Sequence, residues 1–302
     1  MRRILPPPIR GVITFTMILI NLGFWGVVFF LNSLAFLVPV PGRGSWTRHR
    51  LQGVVESWAL GNHAVLRWMI DARWEIEFAG EVSPDESYLV IANHQSWLDI
   101  PAVHHALIGH SSFIKFFAKK QVIWVPVIGQ AAWMLRFPFM KRHSKEFLRK
   151  HPDRRGEDLQ TTRASLRDFG ESPESVLSYV EGTRFTDAKR LATKSPYKNL
   201  LKPKAGGIAY VLGAVGDKLH AIIDVTIAYP PQEGGVFWHF ICGRVPWVRI
   251  HVRRRPVPEQ YSNGARREDA GKRGAFRTWV HEIWTEKDAL IDAIRRDEFR
   301  SS

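Results

Sequence analysis

The stretch Asn93–Asp99 (Asn-His-Gln-Ser-Trp-Leu-Asp) separates two segments of different character. Residues 86–92 before it end in a short apolar run, which is too brief for a helix and indicates a buried strand. Pro101–Leu107 after it is predicted to be helical, because proline is tolerated in a first helical turn. We therefore expect His94 in the loop at the carboxyl end of a strand and Asp99 at the start of the next helix.

His94 and Asp99 form a candidate general base and its orienting partner. On one helix, five residues of separation would turn the two side chains about 140° apart, at about 100° per residue. On a strand-to-helix turn they can meet, and a carboxylate then fixes the tautomer of the imidazole, which can take a proton from a hydroxyl. The alternative is that Asp99 only caps the helix, since Ser96 and Asp99 also fit a loose capping box.

A second stretch has the same organisation. Ser175–Val180 is predicted to be a buried strand, and it leads directly into Glu181-Gly182-Thr183-Arg184. Two strand ends that each deliver polar residues into a loop are typical of the crevice where open α/β sheets bind ligands. The alternative is a plain Glu-Gly turn that carries solvated charges.

Taken together, these stretches resemble the 1-acylglycerol-3-phosphate acyltransferase family of glycerolipid acyltransferases. The family's Asn-His-x4-Asp block is matched by Asn93, His94 and Asp99, and its Glu-Gly-Thr-Arg block by residues 181–184. Between them, Ala118–Gly129 fits the family's basic residue and Pro-x-x-Gly, and Arg142 fits its later arginine.

The chain departs from the family pattern at two positions. Val180 and Asp224 stand where many members have proline, and Asp224 begins the wording Asp-Val-Thr-Ile-Ala-Tyr-Pro. This wording is similar to that of the lysocardiolipin-acyltransferase-like branch and its bacterial relatives, so the resemblance leaves the head group of the substrate open.

The resemblance implies a fold, an activity and a set of site residues. It implies His94 as the base that activates the hydroxyl of a lysophospholipid, Asp99 as its partner, and an acyl thioester (acyl-CoA or acyl-carrier protein) as co-substrate, with no metal or other cofactor. The planar fork of an arginine suits a phosphate, which makes Arg184 the first candidate for phosphate binding. The full set of expected substrate-binding residues is Asn93, Lys120, Arg142, Glu181, Gly182, Thr183 and Arg184.

The chemistry of direct acyl transfer agrees with what the sequence contains. The sequence has no Gly-x-Ser-x-Gly nucleophile motif. With a readily departing thiol, the remaining demand is to stabilise an oxyanion, for which backbone amides near Asn93 or in the Glu181 turn are candidates. The expected reaction is acylation of 1-acylglycerol-3-phosphate to phosphatidic acid, or of another lysophospholipid such as lysocardiolipin or lysophosphatidylglycerol. A hydrolase that uses water instead of a lysolipid is a further alternative.

The charge balance restricts the class of partner. The chain of 302 residues has a formal net charge of +14, which favours an anionic phospholipid surface or a nucleic acid. A membrane-tethered nucleic-acid-binding protein remains the alternative from another class. However, the sequence shows no zinc-finger spacing, RNP-like strand or helix-turn-helix, so we expect no nucleic acid partner. The one cysteine, Cys242, excludes an internal disulfide and lies in an apolar run that favours burial.

The N-terminal region is predicted to anchor the protein in a membrane. Residues 11–42 contain no charged side chain, which exceeds the roughly 20 apolar residues needed to cross hydrocarbon. After the Pro-Val-Pro-Gly breaker, residues 46–74 are predicted to form a second helix rich in tryptophan and arginine, as interfacial helices are. One spanning helix and a two-helix hairpin in one leaflet both fit. We expect membrane localisation, in a bacterial inner membrane with the catalytic domain on the cytoplasmic side.

The remaining pattern predicts an α/β fold with a mixed central sheet flanked by helices. We expect residues 1–73 to form the membrane-anchoring helices and residues 74–302 the acyltransferase domain. Residues 189–204 are predicted to be a loop. Further strands are expected at 74–78, 221–228, 236–242 and 247–253, and helices at 205–215 and 265–296.

Overall fold

A computed structural model describes residues 5–37, 43–140, 160, 162, 164–232, 235–262 and 270–301. The strands within these ranges are β1 Arg73–Ala79, β2 Tyr88–Ala92, β3 Phe113–Phe116, β4 Ala118–Lys119, β5 Phe139–Met140, β6 Glu174–Tyr179, β7 Ala221–Ala228 and β8 Trp247–Arg255. The α-helices are α1 Pro7–Ser33, α2 Arg43–Met69, α3 Asp99–Leu107, α4 Ile128–Met134, α5 Asp187–Ala192, α6 Gly206–Val215, α7 Val236–Ile241, α8 Glu259–Ser262 and α9 Ala270–Ser301. Short 3-10 helices occupy Leu34–Leu37, Lys120–Trp124 and Gly216–Lys218.

A six-stranded sheet with the order β1-β8-β7-β2-β6-β3 forms the centre of the fold. Strand β2 runs parallel to both of its neighbours, β6 and β7, whereas β8 is antiparallel to β7 and parallel to β1. The sheet is therefore mixed, and the predicted α/β class is confirmed. All five residues of β2 are buried, as expected of a central strand covered on both faces.

Both faces of the sheet are covered by helices. One core cluster joins β2, β7 and β8 to α2, α3 and α7, and the other joins the opposite face to α6 and α9. In β8, Val248, Ile250 and Val252 are buried on one face, which agrees with the predicted period of two.

Two predictions of local structure require correction. The apolar run at 236–242, predicted to be a strand, forms helix α7 with Cys242 at its C-cap. Periodicity does not separate a short buried helix from a buried strand, and here the run packs against Gly11 of α1 through Trp238 and Cys242. The predicted loop at 189–204 begins inside α5, which Thr186 caps by accepting a hydrogen bond from the Lys189 N–H. Strand β3 was not predicted.

Helices α1 and α2 pack side by side as an antiparallel hairpin. The Asn21 side-chain amide donates to the Trp58 carbonyl at 3.0 Å and to Asn62 Oδ1 at 2.9 Å, while Phe29, further along α1, shares a core cluster with Leu51, earlier on α2. Within the described part of the chain, residues 7–37 form the one helical stretch long and apolar enough to cross a membrane. Helices α1 and α2 thus form a hairpin, in which α1 carries the apolar stretch.

Helix α9 is attached to the sheet through a buried ion pair. Lys287, fully buried, lies with its Nζ 2.6 Å from Asp224 Oδ1 and donates to the Val225 carbonyl and to Thr226 Oγ1. Arg255 Nε donates to the other carboxylate oxygen of Asp224 at 3.0 Å. Asp224, which departs from the family pattern, therefore has a structural partner in this chain.

Replacing Lys287 by methionine should destabilise the protein by about 3–5 kcal/mol, because one partner of a buried ion pair would be left without its counter-charge. Lys198→Met is the matched control. The side chain of Lys198 is exposed and pairs at 3.2 Å with Asp292, which lies on α9 as Lys287 does, so its loss should cost less than about 1 kcal/mol. Denaturant unfolding of the two variants in the same detergent measures both effects. Equal losses would contradict the role assigned to Lys287.

Candidate active site

The carboxyl ends of three neighbouring strands meet at one edge of the sheet. Because β2 is parallel to both β6 and β7, the loops that leave these strands start close together: Ala92 is the register partner of Tyr179 on one side and of Val225 on the other. His94 follows β2, Glu181 follows β6, and Tyr229 follows β7. The two polar stretches found in the sequence are thus brought together by the strand order.

His94 and Asp99 are in direct contact. His94 Nδ1 lies 2.7 Å from Asp99 Oδ2. The same carboxylate oxygen accepts hydrogen bonds from the Gln95 N–H at 2.6 Å and the Ser96 N–H at 2.8 Å. Asp99 is fully buried and lies in the first turn of α3, whose N-cap residue, Leu98, makes no side-chain cap hydrogen bond. The bond from the Ser96 N–H is the contact that a capping box would make, and Ser96 Oγ accepts the Leu98 N–H at 3.2 Å, so Asp99 holds the start of the helix as well as the histidine.

The imidazole of His94 is held and only slightly exposed. The side chain of His94 is 15% exposed, and the ring of Tyr179 stacks on it with centroids 4.2 Å apart and an angle of 19° between the planes. With Nδ1 on Asp99, the second ring nitrogen Nε2 has no hydrogen-bond partner among the described residues. This is the arrangement of a base whose tautomer and direction are fixed in advance.

Tyr229 and Tyr179 complete the surroundings of this pair, and sequence analysis missed both. The Tyr229 hydroxyl donates to Asp99 Oδ1 at 2.8 Å, which gives the second carboxylate oxygen its own donor. Burial raises the pKa of each tyrosine well above its usual value of 10, so both are neutral. The signal in the sequence that could have identified them is a tyrosine at the carboxyl end of each strand next to β2.

Glu181 fixes the backbone of His94 from the side of β6. Its carboxylate accepts the His94 N–H at 2.8 Å with one oxygen and the Leu201 N–H at 2.8 Å with the other, and its side chain is almost wholly buried. Burial raises the pKa of Glu181 to about 8, although the two N–H donors act in the opposite direction. The backbone amides of residues 94–96 are all engaged by carboxylates, so they are not available to an oxyanion.

The rest of the Glu-Gly-Thr-Arg turn carries the side chain of Arg184 and contacts that of Lys189. Gly182 has a φ of +70°, a left-handed conformation that favours glycine. Thr183 Oγ1 accepts from Lys189 Nζ at 2.9 Å. The guanidinium of Arg184 lies over the indole of Trp97, 4.2 Å from the ring centroid, and its N–H groups have no partner among the described residues. The Phe185 N–H donates to the His94 carbonyl at 2.7 Å, which ties this turn to the histidine loop.

The other expected site residues differ in position. Asn93 is fully buried, and its side-chain amide both donates to the Ile227 carbonyl and accepts from the Ile227 N–H, each at 2.9 Å, so it joins β2 to β7. Lys120 is exposed on the 3-10 helix Lys120–Trp124. Arg142 lies outside the described residues.

Two kinds of comparison relate this chain to known proteins. At the level of sequence it is 27% identical over 299 residues to lysocardiolipin acyltransferase 1 of Danio rerio, covering 93% of this chain and 70% of that protein. It is also 27% identical over 250 residues to 1-acyl-sn-glycerol-3-phosphate acyltransferase delta of Rattus norvegicus, covering 77% of this chain and 60% of that one.

At the level of structure it is similar to the 1-acyl-sn-glycerophosphate acyltransferase PlsC of Thermotoga maritima, with a TM-score of 0.56 and 15% identity over 97% of this chain and 100% of that one. This likeness shows the fold. A family model described as Acyltransferase matches residues 75–229, just over half of the chain, and includes both polar stretches at the strand ends. The chain belongs to the Acyltransferase family.

Proposed function

We propose that this protein is a membrane-bound acyltransferase that moves a fatty acyl group from an acyl thioester to the free hydroxyl of a lysophospholipid. The observation that carries the proposal is the contact of 2.7 Å between His94 Nδ1 and the buried Asp99 at the carboxyl edge of the sheet. A lysolipid hydroxyl is far too weakly acidic to attack a thioester unaided, so the reaction needs a base of this kind.

The proposed transfer takes place in one attack without a covalent enzyme intermediate. His94 Nε2 accepts the proton of the lysolipid hydroxyl while its oxygen attacks the thioester carbonyl carbon. The tetrahedral intermediate then collapses, the carbon–sulfur bond breaks, and the imidazolium of His94 returns its proton to the departing thiolate. Asp99 keeps the Nδ1 proton in place and stabilises the imidazolium while it exists.

Arg184 is proposed to bind the phosphate of the lysolipid. Stacking on Trp97 holds the plane of the guanidinium, while the N–H edge remains open for a bidentate contact. The hydrogen bond from the Phe185 N–H to the His94 carbonyl holds the backbone next to Arg184 close to the loop of the base. Asn93, Glu181 and Gly182 support this geometry through the backbone and the turn, while Thr183 lies beside Arg184 and Lys120 remains a candidate for a second phosphate contact.

The acyl chain is proposed to occupy an apolar groove between the anchor hairpin and α4. The groove is partly open to solvent and is lined almost wholly by apolar atoms. Trp25 and Phe29 of α1, Val55 of α2 and Ala131 of α4 are among its walls, and Phe116 at the end of β3 lies at its border. A long hydrocarbon chain is the ligand that such a lining favours.

The substrate we propose first is 1-acylglycerol-3-phosphate, which would give phosphatidic acid. The second candidate is lysocardiolipin or a similar lysophospholipid. The match to lysocardiolipin acyltransferase 1 of Danio rerio covers more of this chain than the match to 1-acyl-sn-glycerol-3-phosphate acyltransferase delta of Rattus norvegicus. The donor is proposed to be acyl-CoA or acyl-carrier protein. The proposed location is a bacterial inner membrane, with α1 as anchor and the catalytic domain on the cytoplasmic side.

An acyl-transfer assay on the purified full-length protein tests the proposal, with radiolabelled acyl-CoA and a panel of lysolipids. Wild type should acylate lysophosphatidic acid, and His94→Ala and Asp99→Asn should each lose at least about 100-fold in rate because a positioned base contributes about 10²–10⁴. His110→Ala, an exposed histidine away from the site, is the control. Full activity in His94→Ala would disprove the assigned base. Release of free fatty acid without acylated lipid would support a hydrolase, and preference for lysocardiolipin the second substrate.

Arg184→Gln should raise the KM for lysophosphatidic acid by about 10- to 100-fold, since a hydrogen bond to a charged group contributes about 1.5–3 kcal/mol. Its effect on a neutral 1-acylglycerol acceptor should be small. Arg190→Gln is the matched control, because Arg190 lies on α5 close in sequence but pairs with Asp187. An equal rise of KM for charged and neutral acceptors would contradict phosphate binding by Arg184.

A further inference from the structure

We infer that Tyr229 is a positioning residue of this reaction, which tunes the basicity of His94 through Asp99. The inference rests on the proposed function. It starts from the hydrogen bond of 2.8 Å that the Tyr229 hydroxyl donates to Asp99 Oδ1, the carboxylate oxygen that does not face the histidine. Tyr229 is fully buried, and its backbone carbonyl accepts from Arg295 Nε on α9 at 3.0 Å, so its position is fixed from the C-terminal helix as well.

The two carboxylate oxygens of Asp99 have different hydrogen-bond partners. Oδ2 holds His94 Nδ1 and two backbone amides, whereas the Tyr229 hydroxyl is the only hydrogen-bond donor to Oδ1 among the described residues. A donor on Oδ1 draws negative charge away from Oδ2. Without it, Asp99 would attract a protonated His94 more strongly, and less of the histidine would be present as free base at a given pH.

Other titratable groups near the pair are present in both wild type and the variant, and Glu181, whose pKa burial raises to about 8, titrates in both. They belong to β6, to the turn that follows it and to α9: Tyr179, Glu181 and Lys287. Tyr229 itself remains a neutral donor across the working range, because burial raises its pKa well above 10. The hydroxyl of Tyr229 can therefore be removed without changing a charge.

Tyr229→Phe is the test, because it keeps the ring and removes the donor. In full-length protein we expect the acidic limb of the kcat/KM profile to move to higher pH by about one unit, since a tenfold change in a protonation equilibrium corresponds to one unit. At pH values below the midpoints of both enzymes, kcat/KM should fall by about tenfold relative to wild type, with KM for lysophosphatidic acid within about twofold. Tyr261→Phe, a buried tyrosine in the other core cluster, is the control for loss of a hydroxyl.

The outcomes separate this inference from the proposed function. A Tyr229→Phe enzyme with a lower melting temperature and an unmoved pH profile would assign the residue a purely structural role and overturn the inference. If His94→Ala retained the activity of wild type, the proposed function itself would fail. A shifted profile in Tyr229→Phe, an unshifted one in Tyr261→Phe and an inactive His94→Ala together support both.

A different observation concerns residues 120–134, here named the tryptophan segment, which comprise the 3-10 helix Lys120–Trp124 and α4. Trp124 is 84% exposed and Trp133 is 64% exposed, and Val125 is also exposed. On the other side of the same segment, Ala132 packs into a core cluster with Phe29 of α1, together with Leu135, which directly follows the segment. Two tryptophan side chains are therefore exposed on one side of a segment whose other side packs into a hydrophobic core cluster.

The backbone of the tryptophan segment is tightly built. Val127 has a φ of +66°, an unusual conformation for a β-branched residue, and its side chain lies against Gly26 of α1, where no larger residue would fit without a shift. A Cβ on Gly129 would collide with the backbone carbonyls of Val122 and Ile123. The turn is thus fixed both internally and against the anchor helix.

We propose that the tryptophan segment inserts into the interfacial region of a lipid bilayer, beside α1. The exposed apolar face of α1, which includes Ile20, Val27 and Leu31, belongs to the helix that Val127 contacts. Tryptophan prefers the level of the lipid head groups, and Lys120 at the start of the segment is exposed where an anionic head group can pair with it. This proposal also rests on the proposed membrane-bound function.

Site-specific labelling tests the insertion. In a Cys242→Ala background, an NBD fluorophore is attached to Trp124→Cys or Trp133→Cys in the full-length protein, which is then reconstituted in vesicles of phosphatidylcholine with phosphatidylglycerol. Both probes should emit at shorter wavelength than in water and be quenched by lipids that carry a shallow doxyl group. Asp85→Cys, exposed at the opposite end of β2, is the control expected to remain in water, and Ile20→Cys, on the exposed apolar face of α1, is the control expected to lie in lipid.

The result that overturns the insertion is a probe at 124 and 133 that remains in water while the probe at Ile20 is quenched. A blue shift that grows with protein concentration and is not quenched by doxyl lipids would assign the surface to a second copy of this chain, and would equally overturn it. Neither result alters the expectations for His94→Ala, so the insertion and the proposed reaction are tested separately.

Discussion

A fully buried carboxylate with four hydrogen-bond partners organises the candidate site. Asp99 takes the imidazole of His94, two backbone amides and the hydroxyl of Tyr229. An ionised group that is removed from water is tolerated only when its oxygens are satisfied, and here the donors come from the loop after β2 and from the end of β7. The energetic demand of one carboxylate therefore fixes the relative position of two strands and of the candidate base.

The sheet order makes this arrangement possible. Because β2 lies between β6 and β7 with all three strands parallel, polar residues that are far apart in the chain leave the sheet at one edge. Glu181 reaches across from β6 to the backbone of His94, and Asn93 reaches across to Ile227 of β7. Each neighbouring strand is thus tied to the histidine loop by a buried side chain. These hydrogen bonds hold the loop in one position in the absence of substrate, which is what a base that must act in one direction requires.

The contact between His94 and Asp99 was predictable from sequence because it is local. A strand, a turn and a helix start within about ten residues leave few ways for the two side chains to lie. Sequence patterns also predicted the mixed sheet, strand β7 and the apolar N-terminal helix, since these depend on periodicity and hydrophobicity. The Glu-Gly-Thr-Arg turn was located, but the buried bridging role of Glu181 was not, because a carboxylate in a turn is by itself most often solvated.

The features that sequence did not predict all depend on contacts between distant segments. Tyr229 becomes part of the site only because β7 lies next to β2, and a single sequence carries no information on that neighbour relation. The apolar run at 236–242 has the length and hydrophobicity of a buried strand. In the structure it packs against α1, where Gly11 lies close to Trp238 and Cys242. Its helical form is a consequence of that packing.

The N-terminal hairpin of α1 and α2 packs directly against the central sheet and its helices. Leu66 and Met69 at the end of α2 belong to the same core cluster as α3, the helix that begins at Asp99. The other end of the hairpin contacts the tryptophan segment through Gly26 and Val127. A hairpin held at both ends does not tether the sheet loosely. If α1 lies in a bilayer, these contacts determine how far the base and Arg184 stand from the lipid surface, and the acyl groove between hairpin and α4 then opens at the depth of the hydrocarbon chains it is proposed to receive.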